Sequence, residues 1–378
     1  MTGLCRGGGV KSRFFTKIKL THNFEKIISV ENLLSAWQEF ERGKKNRKDV
    51  QEFSLNLMDN IFSLHRDLLN HTYKHGGYQA FKINDPKPRD IHKATVRDRL
   101  LHHAIYRILY PFFEKTFIAD SYSCRIGKGT HRAINKFRSF AYKVSQNNTR
   151  TCWILKCDIR KFFANIDHEI LLSILREYIP DKDIIRLLEN VIGSFTSPQP
   201  SPLHTGGQAY KGEGGENIGL PLGNLTSQLF VNIYMNEFDQ FMKHKLKTKY
   251  YIRYSDDFVI FSEDKEWLEN IIFPIKIFLK EKLELELHPN KIYLKTLASG
   301  MDFLGMVNFF DHRILRTKTK RRMLRNIEQK CFLLREELIS EDLFNQSLQS
   351  YLGMLKYSQE RTIVNKLKNQ YLDYICPS

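Results

Sequence analysis

The sequence predicts an α+β protein, with helices making up most of its mass and short antiparallel strands carrying its candidate chemistry. Apolar residues recur near the 3.6-residue helical period over several long stretches, while short apolar runs such as YQAFKI and YIRYSDDFVIF are bounded by turn-forming residues. The 378 residues are 42% hydrophobic and 27% charged, which suits a globular chain of two or three subdomains rather than a disordered or membrane-spanning one.

In chain order, residues 1–20 are Gly-rich and basic and are expected to form a flexible tail. Residues 31–72 read as two helices, one striped by Leu33, Leu34, Trp37 and Phe40, the other by Phe53, Leu57, Ile61, Leu64 and Leu68. The block ERGKKNRKD between them reads as a solvated connection, and His71 and His75, with no further ligand set nearby, as surface histidines. YQAFKI reads as a strand, and DPKPRDIHK, with two prolines and alternating charge, as an exposed hairpin tip. A helix is expected from about Arg99 to Phe117 with a bend at Pro111, because proline lacks the helical N–H. CWILKCDIRKFFANIDHEILLSILREYI, residues 152–179, reads as a strand, a tight connection and an amphipathic helix, which leaves Asp158 at the strand's end. Residues 193–219 are rich in Gly, Pro and Ser and look like a long loop insertion. Another helix is expected from about Thr226 to Leu246, directly before the YSDD hairpin. Helical IFLKEKLELEL then leads past Lys291 to a strand-turn segment, MDFLGMVNFF, and about three helices from 319 to 375 form a small bundle.

Charge narrows the partner class. The chain has 59 Lys+Arg against 42 Asp+Glu, a formal +17 that draws polyanions, so nucleic acid is the expected partner. No apolar run approaches bilayer-spanning length, so no membrane partner is expected. Six cysteines at 5, 124, 152, 157, 331 and 376 form no CxxC pair, and the N-terminus has no apolar signal core. Reduced thiols and a cytoplasmic location are the expectation.

Within YIRYSDDFVIF, Asp256 and Asp257 sit side by side between apolar flanks that cannot neutralise them. Close like charges at a partly shielded site repel by roughly 4 kcal/mol, a cost that a divalent cation would offset. Ordinary turn chemistry is the competing explanation, since Ser-Asp-Asp is common loop material. Asp158 is the candidate third carboxylate. If its strand neighbours the hairpin in one antiparallel sheet, the three acids have room for two Mg²⁺ ions and in-line phosphoryl chemistry. Spacing alone equally allows Asp158 to be a turn residue that helps the following helix.

From about residue 24 onward the chain resembles the reverse transcriptases. ILKCDIRKFFANID is similar to the palm motif that supplies the family's first metal-binding Asp, GLPLGNLTSQLF to the motif packed against template and incoming nucleotide, and RYSDDFVIF to the YxDD hairpin. LELELHPNK and MDFLGMV resemble the two motifs that follow in the same order. The resemblance implies a right-hand polymerase: fingers within 21–150, a palm with an antiparallel ferredoxin-like sheet over 151–310, and a helical thumb over 311–378.

Residue by residue, the resemblance implies that Asp158, Asp256 and Asp257 hold two Mg²⁺ ions, or Mn²⁺ in their place, with the Ile159 carbonyl assisting. Lys291 would donate a proton to pyrophosphate. Phe163 matches the steric gate that rejects a 2′-hydroxyl, against the alternative of a core aromatic beside Phe162. Arg89, supported by Lys87 or Lys93, matches the finger-hairpin arginine on the triphosphate, a contact suited to a planar guanidinium. Leu222, Gly223, Ser227 and Gln228 fall in the nucleotide-facing motif. Arg125 and Lys128 of SCRIGKGTHRAI, Arg253 beside the hairpin, and Lys320, Arg321 and Arg322 of the basic run KTKRRMLR are the expected nucleic-acid contacts.

Many family members carry Gln-Gly in the palm motif where this chain has Leu222-Gly223, followed by Ser227-Gln228. That form resembles the diversity-generating retroelement enzymes. It implies error-prone copying at template adenines, with an RNA template, a DNA or RNA primer, dNTPs and a small basic helical accessory protein as partners. A group II intron-like, retron-like or phage-defence reverse transcriptase, and a nucleic-acid-binding relative without turnover, are the alternatives.

Overall fold

The computed structural model describes residues 17–83, 88–195, 217–360, 362–365 and 367. Most of the expected 1–20 tail and of the 193–219 loop lies outside the described residues, as does Lys87. In chain order the elements are α1 (Phe24–Ile28), α2 (Val30–Glu41), α3 (Lys48–Leu55), α4 (Leu57–Leu69), β1 (Tyr78–Ile83), β2 (Arg89–Ala94), α5 (Val96–Phe113) and α6 (Thr130–Val144). There follow β3 (Trp153–Asp158), α7 (His168–Tyr178), α8 (Lys182–Gly193), α9 (Leu225–Gln240), β4 (Tyr251–Tyr254), β5 (Asp257–Ser262), α10 (Lys265–Asn270) and α11 (Ile272–Leu283). The chain continues through β6 (Tyr293–Thr296), β7 (Met301–Phe303), β8 (Met306–Asn308), β9 (Arg313–Leu315), α12 (Thr317–Arg335) and α13 (Glu341–Leu355). Helices and antiparallel sheets mix as an α+β chain should.

Two compact units share these elements: Met1–Phe113 with Asp167–Ser227, and Glu114–Ile166 with Gln228–Ser378. Each is assembled from separated stretches, whereas the motif order suggested consecutive blocks.

In the first unit, three helices, α2, α3 and α4, replace the two expected over residues 31–72, and α1 precedes them. Ser29 caps α2 by accepting from the Asn32 amide, and Asn56, at φ −120° and ψ 42°, separates α3 from α4. The first break uses a short polar side chain that competes with helical hydrogen bonding. Residues 17–20, expected to be mobile, are tied down: the Leu20 amide donates to the Tyr178 carbonyl at 2.8 Å, and Lys17 pairs with Glu177. β1 and β2 form the expected antiparallel hairpin, from Tyr78↔Ala94 to Ile83↔Arg89. Pro111 lies inside α5, which ends only two residues later at Phe113 rather than at Phe117. The His75 side chain, expected at the surface, is buried beside Asp98.

The second unit is organised by a four-stranded antiparallel sheet in the order β4-β5-β3-β6. Helix α6 covers one face with Ala133, Phe137, Phe140, Ala141 and Val144, which cluster with Ile154, Ile252, Val259 and Phe261. Each such large side chain removed from water contributes about 1.5–3 kcal/mol, so this layer fixes the sheet that carries the acidic residues. A three-stranded sheet, β7-β8-β9, follows, turning between β7 and β8 at Leu304 and Gly305, both with positive φ. Met323 and Ile327 of α12 and Phe344, Leu348 and Leu355 of α13 share a second core with Ile363 and Leu367. The rest of the expected third tail helix lies outside the described residues.

Candidate active site

Strand β3 buries Ile154, Leu155 and Cys157 and ends at half-buried Asp158, and its two neighbours pair antiparallel with it. The β3–β5 register sets Asp158 opposite Asp257, so the two carboxylates rise from the same face on adjacent strands, with Cβ atoms roughly 5 Å apart. Tyr254↔Asp257 closes the β4–β5 hairpin around Ser255 and Asp256. Ser255 has a φ of 58°, the left-handed conformation that a two-residue hairpin turn needs at its first position. The Ile159 amide donates to the Asp256 carbonyl at 3.2 Å, which joins the end of β3 to the turn.

Two lysines enter this acidic corner. Lys291 Nζ donates to Asp158 Oδ1 at 2.7 Å. Lys156 Nζ lies 3.9 Å from Asp257 Oδ1 and donates to the Asp302 carbonyl at 3.0 Å. Even so, burial, followed by the charges of Asp256 and Asp158, pushes the Asp257 carboxyl up to about 6, against the pull of Lys156 and Lys291. Asp158, Asp256 and Asp257 thus share this corner with two lysines.

That donor set fits a hard divalent cation, which takes oxygen ligands and would relieve the repulsion. Among the described residues, no three acidic, His or Cys side chains converge closely enough to hold an ion as they stand.

The other expected site residues divide between the units. Phe163 stands in the 3-10 turn Phe162–Asn165 after β3. Phe162 is the core member of that pair, while Phe163 is half-buried and meets it edge-on at 5.6 Å. In the first unit, Leu222 and Gly223 form a turn held to β2: the His92 amide donates to the Leu222 carbonyl at 3.1 Å, and Asn224 Nδ2 donates to the His92 carbonyl at 3.1 Å. Arg89 begins β2 and is exposed. Lys93, the alternative helper, is bound to Asp49 at 2.7 Å. Ser227 is buried and Gln228 half-buried in the first turn of α9. Of the basic helix α12, Arg321 is exposed and Lys320 lies 3.5 Å from Glu360, while Arg322 is half-buried.

Two expected nucleic-acid contacts are corrected. Arg125 is buried, its guanidinium consumed by Glu114, the Ile118 carbonyl and Ser121, so it closes its own loop instead of facing a phosphate. Arg253 is 1% exposed and grips Asp239 through two parallel bonds, Nε to Oδ1 at 2.8 Å and Nη2 to Oδ2 at 2.7 Å. Neither reaches a ligand from there. Lys128 is half-buried and donates to the Ala119 carbonyl at 2.7 Å.

Sequence reading missed Lys156 and Asp239. Lys156 is two residues before Asp158 on one strand, and that period-2 spacing puts both on the same face. Asp239 belongs to a stripe with Asn232 and Asn236, spaced at the helical period along α9 and all buried.

Comparison with known proteins places this geometry. Residues 82–308, more than half of the chain, match the family described as reverse transcriptase (RNA-dependent DNA polymerase). The chain belongs to the reverse transcriptase family. It is similar to protein YkfC of Escherichia coli (strain K12), 25% identical over 62% of this chain and 65% of that protein. It is also similar to the group II intron-encoded protein LtrA of Lactococcus lactis subsp. cremoris, 23% identical over 64% of this chain and 47% of LtrA. A third relative is the putative COX1/OXI3 intron 2 protein of Saccharomyces cerevisiae, 19% identical over 61% of this chain and 30% of that protein. The chain thus spans less than two thirds of the length of each of these relatives. Among its described residues no helix is long and apolar enough to cross a membrane.

Proposed function

We propose that this reverse transcriptase-family chain is an RNA-directed DNA polymerase that extends a DNA or RNA primer with dNTPs on an RNA template. The observation that carries the reading is the register pairing of Asp158 with Asp257 beside the Asp256 turn, inside the stretch that matches the family. Asp158, Asp256 and Asp257, with the Ile159 carbonyl, would hold two Mg²⁺ ions, which supply activation of the primer 3′-hydroxyl and charge stabilisation at the leaving pyrophosphate. Lys291, within hydrogen-bond reach of Asp158, would give a proton to the departing phosphate. Phe163 presents a half-exposed ring as the sugar gate, and Arg89 grips the triphosphate. Fingers to about residue 150, palm to about 310 and thumb beyond describe the same polymerase in right-hand terms.

Within this reading we place the chain with the diversity-generating retroelement enzymes. Support comes from Leu222, which offers no amide next to the nascent base pair and so fewer hydrogen bonds to police its geometry. A small basic helical accessory protein belongs to that reading. A group II intron-type role is the second reading, favoured by the likeness to LtrA. Primer extension on an RNA template with dNTPs and Mg²⁺, beside Asp256→Ala and with sequenced products, tests both. Extension lost in the variant, with errors opposite template adenine, supports the first reading. Accurate extension moves the assignment to the second. No extension by either protein, with cellular fractions added, overturns the polymerase reading.

A further inference from the structure

A buried polar joint stands directly behind the hairpin. Arg253 and Asp239 are 1% and 0% exposed, and Tyr251 Oη adds a bond to Asp239 Oδ1 at 2.8 Å. The third guanidinium nitrogen of Arg253, Nη1, donates to the Ser255 carbonyl at 3.2 Å, within the turn that carries Asp256. Nη1 also lies 3.5 Å from Asn232 Oδ1, and Asn232 Nδ2 donates to the carbonyls of Ser123 at 3.0 Å and Gln228 at 3.2 Å. Main-chain bonds reinforce the joint: the Arg253 amide donates to the Asp120 carbonyl at 3.0 Å, and the Tyr122 amide to the Arg253 carbonyl at 2.9 Å.

One planar guanidinium thus bridges α9, which begins within the LGNLTSQ motif, and the turn that carries Asp256. A lysine could not make these bonds together, because its ammonium is a single point rather than a fork. Nor is the pair needed for stability as such, since buried ion pairs are often replaceable by apolar residues of similar volume without loss. What an apolar replacement cannot supply is the bond to the Ser255 carbonyl.

We infer that Arg253, held in place by Asp239, is a positioning residue for metal binding: it fixes the Ser255–Asp256 turn so that Asp256 and Asp257 present their carboxylates together. The inference rests on the metal-site reading above and assigns its geometry to residues outside the acidic triad.

The test uses the full chain in three forms: wild type, Arg253→Lys, and the apolar triple variant Tyr251→Phe, Asp239→Leu, Arg253→Met. Mn²⁺ affinity is read by the loss of the free-ion electron paramagnetic resonance signal, beside thermal unfolding of the same samples and the Mg²⁺ concentration giving half-maximal primer extension. The triple variant is expected to unfold within about 5 °C of wild type, because apolar side chains refill the joint. Both variants are expected to bind Mn²⁺ about 10- to 100-fold more weakly and to shift the Mg²⁺ requirement upward by a similar factor. Variants folded like wild type with unchanged Mn²⁺ affinity overturn the inference. A wild-type Mn²⁺ signal that Asp256→Ala leaves unchanged overturns the metal reading itself, and the inference with it.

Discussion

Acid should destabilise the first unit through His102, and the size of the effect can be worked out from its surroundings. This ring on α5 is 1% exposed, stacks on His75 at 5.2 Å and has its Nε2 3.2 Å from His75 Nε2. His75 Nδ1 lies 2.6 Å from the Gly76 carbonyl and so carries the proton, which leaves His75 Nε2 as acceptor and His102 Nε2–H as donor. His102 Nδ1 is then a bare, buried acceptor with no partner. Burial, followed by the charges of His75, His103 and Arg99, pulls the His102 imidazole down from 6.5 to about 3. Between those values the unfolded chain binds a proton that the folded chain refuses, so stability rises with pH across this window and falls as pH drops below 6.5. At pH 5 the loss is about 2 kcal/mol, from roughly 1.4 kcal/mol per unit of pH once the unfolded histidine is protonated. Urea unfolding at pH 7.5 and pH 5.0, for wild type and His102→Gln, measures it. The wild type should lose about 2 kcal/mol more than the variant over that interval. Equal losses in the two proteins would refute the reasoning, since other histidines contribute identically to both.

Three further outcomes are expected. Gly223 has a φ of 107°, and a Cβ there would stand 2.9 Å from Ile91 Cγ2, so Gly223→Ala should cost about 1–3 kcal/mol by denaturant unfolding and raise the KM for dNTPs. An unchanged KM would separate this turn from nucleotide binding. Shortening the half-buried Phe163 ring to Val should raise incorporation of rNTPs relative to dNTPs by about tenfold or more in single-nucleotide extension, whereas loss of folding without a change in sugar preference would make it a core residue. Replacing Lys320, Arg321 and Arg322 together by Ala should reduce the slope of log affinity against log salt for an RNA–DNA duplex by about 2 to 3, and an unaltered slope would remove α12 from the nucleic-acid surface.

Much of the fold was legible because local signals agreed with tertiary needs. The run from Cys152 to Ile179 states its strand, turn and helix through a change of apolar period, and the structure keeps all three as β3, a 3-10 turn and α7. Where reading failed, a local backbone break was the cause. Asn56, at φ −120° and ψ 42°, interrupts the apolar stripe from Phe53 to Leu68 that periodicity alone joins into one helix. Pro111 was expected to bend a longer helix, but α5 ends within two residues of it.

The acidic corner was legible for a different reason: carboxylates between apolar runs conflict with burial, and that conflict shows in sequence. The basic residues carried no such conflict. Arg125, Arg253 and Arg321 look alike as letters, yet the first two are spent inside the fold and only Arg321 is exposed. Their difference lies in acidic partners 11 and 14 residues earlier in the chain, Glu114 for one and Asp239 for the other. A cationic residue is therefore better weighed by first asking whether a nearby acid is available to claim it. For Arg253 the buried stripe Asn232, Asn236 and Asp239 was the available sign, because a buried carboxylate such as Asp239 needs a donor to pair with it. Arg253, expected from the sequence to contact nucleic acid, is thus bound to that helix instead, two residues before Ser255 in the turn that joins β4 to β5.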